Sequence, residues 1–250
     1  MGERRFLVDS ADLTGERAFI RGGELHHLLR VLRLKPGDAV SVFDGAGRGY
    51  KGQVETLTRD EALVSHLTPE DPSAEPAVSL TLLQSMPHGD RMDFIVEKAT
   101  ELGVGRVIPV VSERSVLKTA GSGWGRLERF RRIAVSSAKQ SGRLIVPVID
   151  DPVRFESAVA WTPAGGNVGP AGRVVFHPGA GPLEAILQSG RALSAVAVLI
   201  GPEGGFAPSE IEMAVGAGWG AAGIGSRILR ADTAALAALT LVQKALGALD

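Results

Sequence analysis

The sequence predicts an α/β protein in two parts. A small β-barrel or sandwich comes first, and a mostly parallel sheet covered by helices follows. Three observations carry this. Short β-like runs bounded by turn residues crowd the beginning of the chain. Residues 68–76, TPEDPSAEP, are rich in proline, acid and small residues, show no apolar period and read as a linker. Beyond them, strand-like apolar runs alternate with helical ones to the end. The expected domains are residues 1–72 and 73–250.

The β-like runs of the first part are AVSVFDG, GYKGQVETL and EALVSHL. One helix interrupts this part. In GELHHLLRVLRLKPGD, Leu25, Leu28, Leu29 and Leu32 fall on one face at helical spacing, with His26, Arg30 and Arg33 on the other. KPGD then turns the chain into the next strand. The second part opens with VSLTLLQSM. A helix over residues 90–102 follows, with Asp90 as N-cap and Gly103 as the glycine past its end. VIPVV, a helix over 124–140, LIVPVI and a helix after Pro152 come next, then RVVFH and a helix after Pro182. AVAVLIG, a helix after Pro208, GAAGIG and a last helix complete the alternation. Residues 165–172 read as a surface loop.

Composition narrows the function classes. Of 250 residues, 44% are apolar, enough for a sizeable core. The net charge of −1 gives no global attraction to nucleic acid. There is no cysteine, which excludes disulfides and thiolate metal sites. MGERRFLVDS lacks the apolar stretch of a signal peptide. Residues 233–249 are too short for a membrane span and are interrupted by Gln243 and Lys244. A soluble, cytoplasmic protein is expected.

Ligands of open α/β sheets bind at the carboxyl ends of strands. Three such ends here carry unusual residues: FHP (176–178), IGPEGG (200–205) and GIGSRILR (223–230). Glycines at a strand end let a ligand approach the backbone. A tight strand-to-helix turn explains GPEGG equally well when that loop is taken alone. The stretch is neither a Walker loop nor G-x-G-x-x-G, so a ligand without phosphates is favoured over a nucleoside triphosphate. Arg227 and Arg230 precede a helix with little charge and are read as aimed at a ligand or partner. The rival reading is a salt bridge to Glu203 or Asp232. Between Ser112 and Arg143 stand eight bases (Arg114, Lys118, Arg126, Arg129, Arg131, Arg132, Lys139 and Arg143) against Glu113 and Glu128. This stretch reads as a phosphate footprint, or else as a solvated helix face. Arg30 and Arg33 add a second patch.

LIGPEGGF, GSRILRADTA, EKATELGV, KQSGR and HHLLRVLRLKPGD with FDG occur together in one chain. In this they resemble the bacterial ribosomal RNA small subunit methyltransferase E family over nearly the whole length. The resemblance implies a PUA-like β-barrel and then a SPOUT α/β domain with a C-terminal trefoil knot, acting as a homodimer. It implies methylation of N3 of uridine 1498 in 16S rRNA, with S-adenosyl-methionine as cofactor and no metal. The cofactor set it implies is Phe176, His177, Leu199, Ile200, Gly201, Pro202, Glu203, Gly204, Gly205, Ile224, Gly225, Ser226, Ile228 and Leu229. The RNA-contacting set is Arg5, His26, Arg30, Arg33, Arg114, Arg131, Arg132, Lys139, Gln140 and Arg143. Arg230 is expected to stabilise the uracil oxyanion, with Asp232 or Glu203 as general base. The family pattern has Leu where Ile224 stands and Glu where Asp232 stands. Rival readings are a SPOUT enzyme acting on tRNA or a ribose 2′-hydroxyl, and a non-catalytic RNA-binding or assembly protein.

Overall fold

The computed structural model describes residues 4–71, 75–115, 124–162, 171–187 and 193–248. Lys118, residues 72–74 of the expected linker and 165–170 of the expected surface loop lie outside the described residues. The chain divides into two compact units. Met1–Glu75 and Val135–Val146 form the first; Pro76–Ala134 and Pro147–Asp250 form the second.

The first unit is built on a five-stranded sheet: β1 (Arg5–Leu7), β2 (Ala18–Arg21), β3 (Ala39–Phe43), β4 (Gly49–Leu57) and β5 (Glu61–Pro69). Its order is β1-β3-β4-β5-β2. The β1–β3 pair is parallel and the other pairs are antiparallel. No β1–β2 ladder closes it among the described residues, so the sheet is a half-barrel where the sequence led us to expect a barrel or sandwich. Phe6, Ile20, Leu28, Val42 and Val64 fill its core.

Helix α1 (Gly22–His26) runs into a π-helical turn, His27–Val31, in which the Leu32 N–H donates to the His27 carbonyl at 3.0 Å. A five-residue repeat turns each side chain through a smaller angle than an α-helix does. Leu25 and Leu28 stay buried and Leu29 packs on the core, but Leu32 swings out to 37% exposure. The expected four-leucine face is therefore a three-leucine face. His26, Arg30 and Arg33 are exposed, as their spacing predicts.

The second unit holds a seven-stranded sheet with every pair parallel. Its strands are β6 (Ser79–Ser85), β7 (Arg106–Val111), β8 (Val148–Ile149), β9 (Val153–Arg154), β10 (Ala171–Gly181), β11 (Ala195–Ile200) and β12 (Gly220–Ala222). The order is β12-β10-β11-β6-β7-β8, with β9 also on β7. β11 lies between two neighbours, and all six of its residues are buried, which is why AVAVLI is apolar without alternation. The helices are α2 (Arg91–Glu101), α3 (Trp124–Ser141), α4 (Phe155–Ala160), α5 (Glu184–Leu187), α6 (Pro208–Gly216) and α7 (Ala231–Ala245). Helix α3 gives the second unit its residues up to Ala134 and the first unit those from Val135.

Several local expectations change. Thr68 and Pro69 of the expected linker belong to β5, and Ala171 and Gly172 of the expected surface loop belong to β10. Asp90 stands at the N-cap of α2, but its φ of −94° and ψ of 12° are not the extended geometry a cap needs, and its side chain makes no capping bond. LIVPVI yields only the two residues of β8. Pro147 has no N–H to donate, and Leu144 belongs to the first unit, packed with Phe43 and Ala138. Gly103 does end α2 as expected, with a φ of +84°, and a Cβ there would lie 2.4 Å from Pro76 Cγ. Helix α7 packs on α2, where Gln243 Nε2 donates to the Leu102 carbonyl at 2.7 Å and satisfies part of that helix end. No helix among the described residues is long and apolar enough to cross a membrane.

Candidate functional site

FHP, GPEGG and GIGSRIL meet because of register. Phe176 of β10 stands opposite Ile200 of β11 on one side and Ala222 of β12 on the other. All three strands are parallel, so GPEGG after β11 and GIGSRIL after β12 leave the sheet beside FHP. FHP is not a strand end as expected but an irregular stretch within β10, where its pairing with β11 stops. A cavity of about 300 Å³ opens there. From the sequence-derived cofactor set, Phe176, His177, Ile200, Gly201, Pro202, Glu203, Gly204, Gly205, Ile224, Gly225, Ile228 and Leu229 line it. Leu199 does not: strand alternation turns it into the core with Val175 and Phe206. Ser226 is exposed and is not part of the wall.

The wall has properties that suit a polar ligand with an apolar body. His177 Nδ1 is buried and has no hydrogen-bond partner among the described residues. Such an atom is costly unless something else satisfies it. Gly205 and Gly225 have φ of +66° and +82°, and nothing stands within 4 Å of the place a Cβ would take. These two positions require glycine and leave the backbone approachable. Gly204 differs. A Cβ there would meet Arg114 Cδ at 3.3 Å, so the space beside this glycine is filled by a side chain of the protein.

Glu203 is held from outside its own loop. The His88 backbone N–H donates to it at 3.1 Å, the His88 ring lies at 3.2 Å, and Arg91 pairs with it. Burial alone would raise its pKa. Hydrogen bonds from its own N–H, from His88 and from Arg91 outweigh that and hold the carboxyl below its usual range. A carboxylate so engaged is a weaker proton acceptor, which argues against Glu203 as general base. It also removes the salt bridge to Arg227 or Arg230 that the sequence left open.

Arg230 occupies the N-cap position of α7, is exposed and lies off the cavity wall. Asp232 sits in the first turn of that helix, where its carboxylate accepts the Thr233 N–H at 2.8 Å and the Thr233 hydroxyl at 3.3 Å. It too is off the wall, whereas Arg227 lines it.

The sequence placed Arg114 in a phosphate footprint. The structure puts it on the cavity wall, where Nη1 donates to the Gly204 carbonyl at 2.9 Å. The buried Glu210 fixes the turn that carries it, accepting the Glu113 N–H at 2.9 Å and the Ala207 N–H at 2.8 Å. Sequence reasoning missed Glu210, although Pro208 followed by Glu210 is the signature of a helix start. His88 and Arg91 carry no comparable signal.

The remaining RNA-contacting expectations divide. His26, Arg30, Arg33, Arg132 and Gln140 are exposed. Arg131 is exposed but pairs with Glu128 at 2.8 Å, and Lys139 pairs with Glu24 at 2.8 Å. Arg5 and Arg143 are corrected. They are 4% and 3% exposed and pair inside the first unit with Glu70 at 2.9 Å and Glu75 at 2.7 Å. Arg129 pairs with Asp93. Much of the positive charge counted along the chain thus meets acids from distant positions.

Residues 74–243 match the model of an RNA methyltransferase domain, and residues 20–65 that of an RNA methyltransferase PUA domain. The chain is similar to the ribosomal RNA small subunit methyltransferase E of Synechocystis, with 32% identity over 95% of this chain and 76% of that one. It is similar to the protein of the same name in Bacillus subtilis, with 28% identity over 89% and 88%. The crystal structure of the Neisseria gonorrhoeae ribosomal RNA small subunit methyltransferase E bound to S-adenosyl methionine superimposes with a TM-score of 0.84. It shares 32% identity and 97% coverage of both chains.

Proposed function

Because the chain belongs to the ribosomal RNA small subunit methyltransferase E family, we propose that it transfers a methyl group from S-adenosyl-methionine to N3 of uridine 1498 in 16S rRNA. The observation that carries this reading is the cavity at the carboxyl ends of β11 and β12, beside Phe176 of β10. S-adenosyl-methionine, when bound, supplies a methyl group on a sulfonium sulfur. The residues present fit it. The backbone at Gly205 and Gly225 is open to approach, the orphaned His177 Nδ1 offers a polar partner, and Ile200, Ile224 and Leu229 offer apolar surface.

The chain's part in the chemistry is to orient the base and manage the uridine N3 proton. Arg230, exposed beside the cavity loop, is the candidate for stabilising the charge that develops on the uracil oxygens. With Glu203 already engaged, Asp232 is the candidate base. His26, Arg30 and Arg33 in the first unit, with Arg131, Arg132 and Gln140 on α3, are candidates for contacts to the RNA around a splayed base. In this reading the first unit, to which Val135–Val146 belong against the expected 73–250 boundary, is the RNA-binding part and the second unit the catalytic part. A trefoil knot, a homodimer and a cytoplasmic location belong to the same reading.

The test pairs calorimetry with transfer of labelled methyl groups to 16S rRNA, offered naked and in the small ribosomal subunit. The reading expects heat on cofactor addition and label in at least one RNA form. A protein that only binds RNA would give neither heat nor label.

A further inference from the structure

We propose that Arg114 reads the carboxylate of the cofactor's amino-acid portion, through the guanidinium donors left over from its bond to Gly204. The inference rests on the cofactor reading above and assigns one part of that ligand to one side chain. S-adenosyl-methionine carries a single anionic group, and a cavity that holds it needs a cation placed for it. The charged or titratable side chains on the wall are Arg114, His177, Glu203 and Arg227. Glu203 is already paired with Arg91, so it does not cancel the positive charge of the two arginines.

Arg114 is the better held of those two. Its backbone is tied through the Glu113 N–H to Glu210, and the Ser115 hydroxyl closes the same turn onto the Ser112 carbonyl at 2.9 Å. Its tip is tied to Gly204 within the cofactor loop itself. Glu210 also accepts the Ala207 N–H, so one buried carboxylate joins the Arg114 turn to the far end of that loop. A guanidinium fixed at both ends keeps its fork pre-organised, and that fork matches a carboxylate in two parallel bonds. Both arginines are exposed, but Arg227, on the loop between β12 and α7, has no comparable tie to the cofactor loop among the described residues. The bond to Gly204 holds the exposed Arg114 side chain on the cavity wall.

The experiment measures binding of S-adenosyl-homocysteine, which has the carboxylate, and of 5′-methylthioadenosine, which lacks the amino-acid portion. Wild type, Arg114→Gln, Arg114→Lys and Arg227→Gln are compared by calorimetry. Arg114→Gln keeps a donor for the Gly204 carbonyl and loses the charge. It is expected to bind S-adenosyl-homocysteine about ten- to a hundredfold more weakly, with 5′-methylthioadenosine unchanged. Arg114→Lys should recover part of the loss. Equal weakening of both ligands in Arg114→Gln would mean that Arg114 only shapes the loop and would overturn the proposal. So would no change in either ligand, or the selective loss appearing in Arg227→Gln instead. A wild-type protein that binds neither ligand defeats the cofactor reading itself, and this inference with it.

Discussion

Glu203 lies in the loop most legible from sequence, yet its role was not. GPEGG announced a ligand loop through its glycines, but the donors that hold Glu203 come from residues more than a hundred positions away. Its pKa is lowered, so its charge-dependent contacts exist above the ordinary carboxylate value of about 4.3 and are lost only as pH falls through the lower folded value. Cofactor affinity is therefore expected to stay flat from neutral pH down to the ordinary carboxylate range and to fall only below it. At neutral pH, Glu203→Gln should weaken cofactor binding about tenfold by loosening the grip of Arg91 and His88. A drop in turnover at unchanged affinity would return Glu203 to the role of base. Arg230 is predicted to behave in the opposite way. Exposed and off the cavity wall, Arg230→Ala should leave cofactor affinity near wild type and lower turnover about a hundredfold, a loss of about 3 kcal/mol. Turnover per folded protein within about threefold of wild type would make it scaffolding.

Elements whose identity depends on local pattern were legible. The apolar runs of β6, β7 and β11 and the helices after Pro208 and Arg230 stand where their composition put them. Elements that depend on distant partners were not. β1 and β2 have three and four residues, too few for any period to register, and they exist because β3 and β5 hydrogen-bond to them. The π turn after α1 displaced Leu32 from a face that regular helical spacing assigns to it. Helix α6 lacks a capping side chain at Ala207, so the buried Glu210 satisfies that N–H together with the Glu113 N–H. Glu210→Ala should cost on the order of 1–3 kcal/mol in denaturant unfolding, because it strands two donors. A loss under about 0.5 kcal/mol would mean that water replaces the carboxylate. At the end of α2, Gly103→Ala meets both a left-handed backbone and Pro76. The backbone alone costs about 1–2 kcal/mol, so unfolding should show at least that loss.

Across the whole molecule, the charge pattern was the least reliable sign. Counting along α3 and its flanks suggested a strong phosphate footprint, but Asp93, Glu24 and Glu75 neutralise Arg129, Lys139 and Arg143 from elsewhere in the chain. Sequence order cannot reveal such pairings; only the folded chain brings them together. Arg131 and Arg132 stay exposed, and exposed ion pairs such as Arg131–Glu128 contribute little to stability. Reversing both charges should therefore leave the fold intact, weaken RNA binding and make its salt dependence shallower, with cofactor affinity unchanged. A joint fall in RNA and cofactor affinity would assign the pair a structural role. The cavity, by contrast, was largely readable, because parallel strands deliver glycine-rich ends to one edge wherever they occur. The central claim is that this edge methylates a base in ribosomal RNA. Mass spectrometry of 16S rRNA, digested after treatment of small subunits with the protein and labelled cofactor, tests it most directly. The account predicts label as 3-methyluridine at uridine 1498, whereas label on a ribose 2′-oxygen, or on another nucleotide, would contradict it.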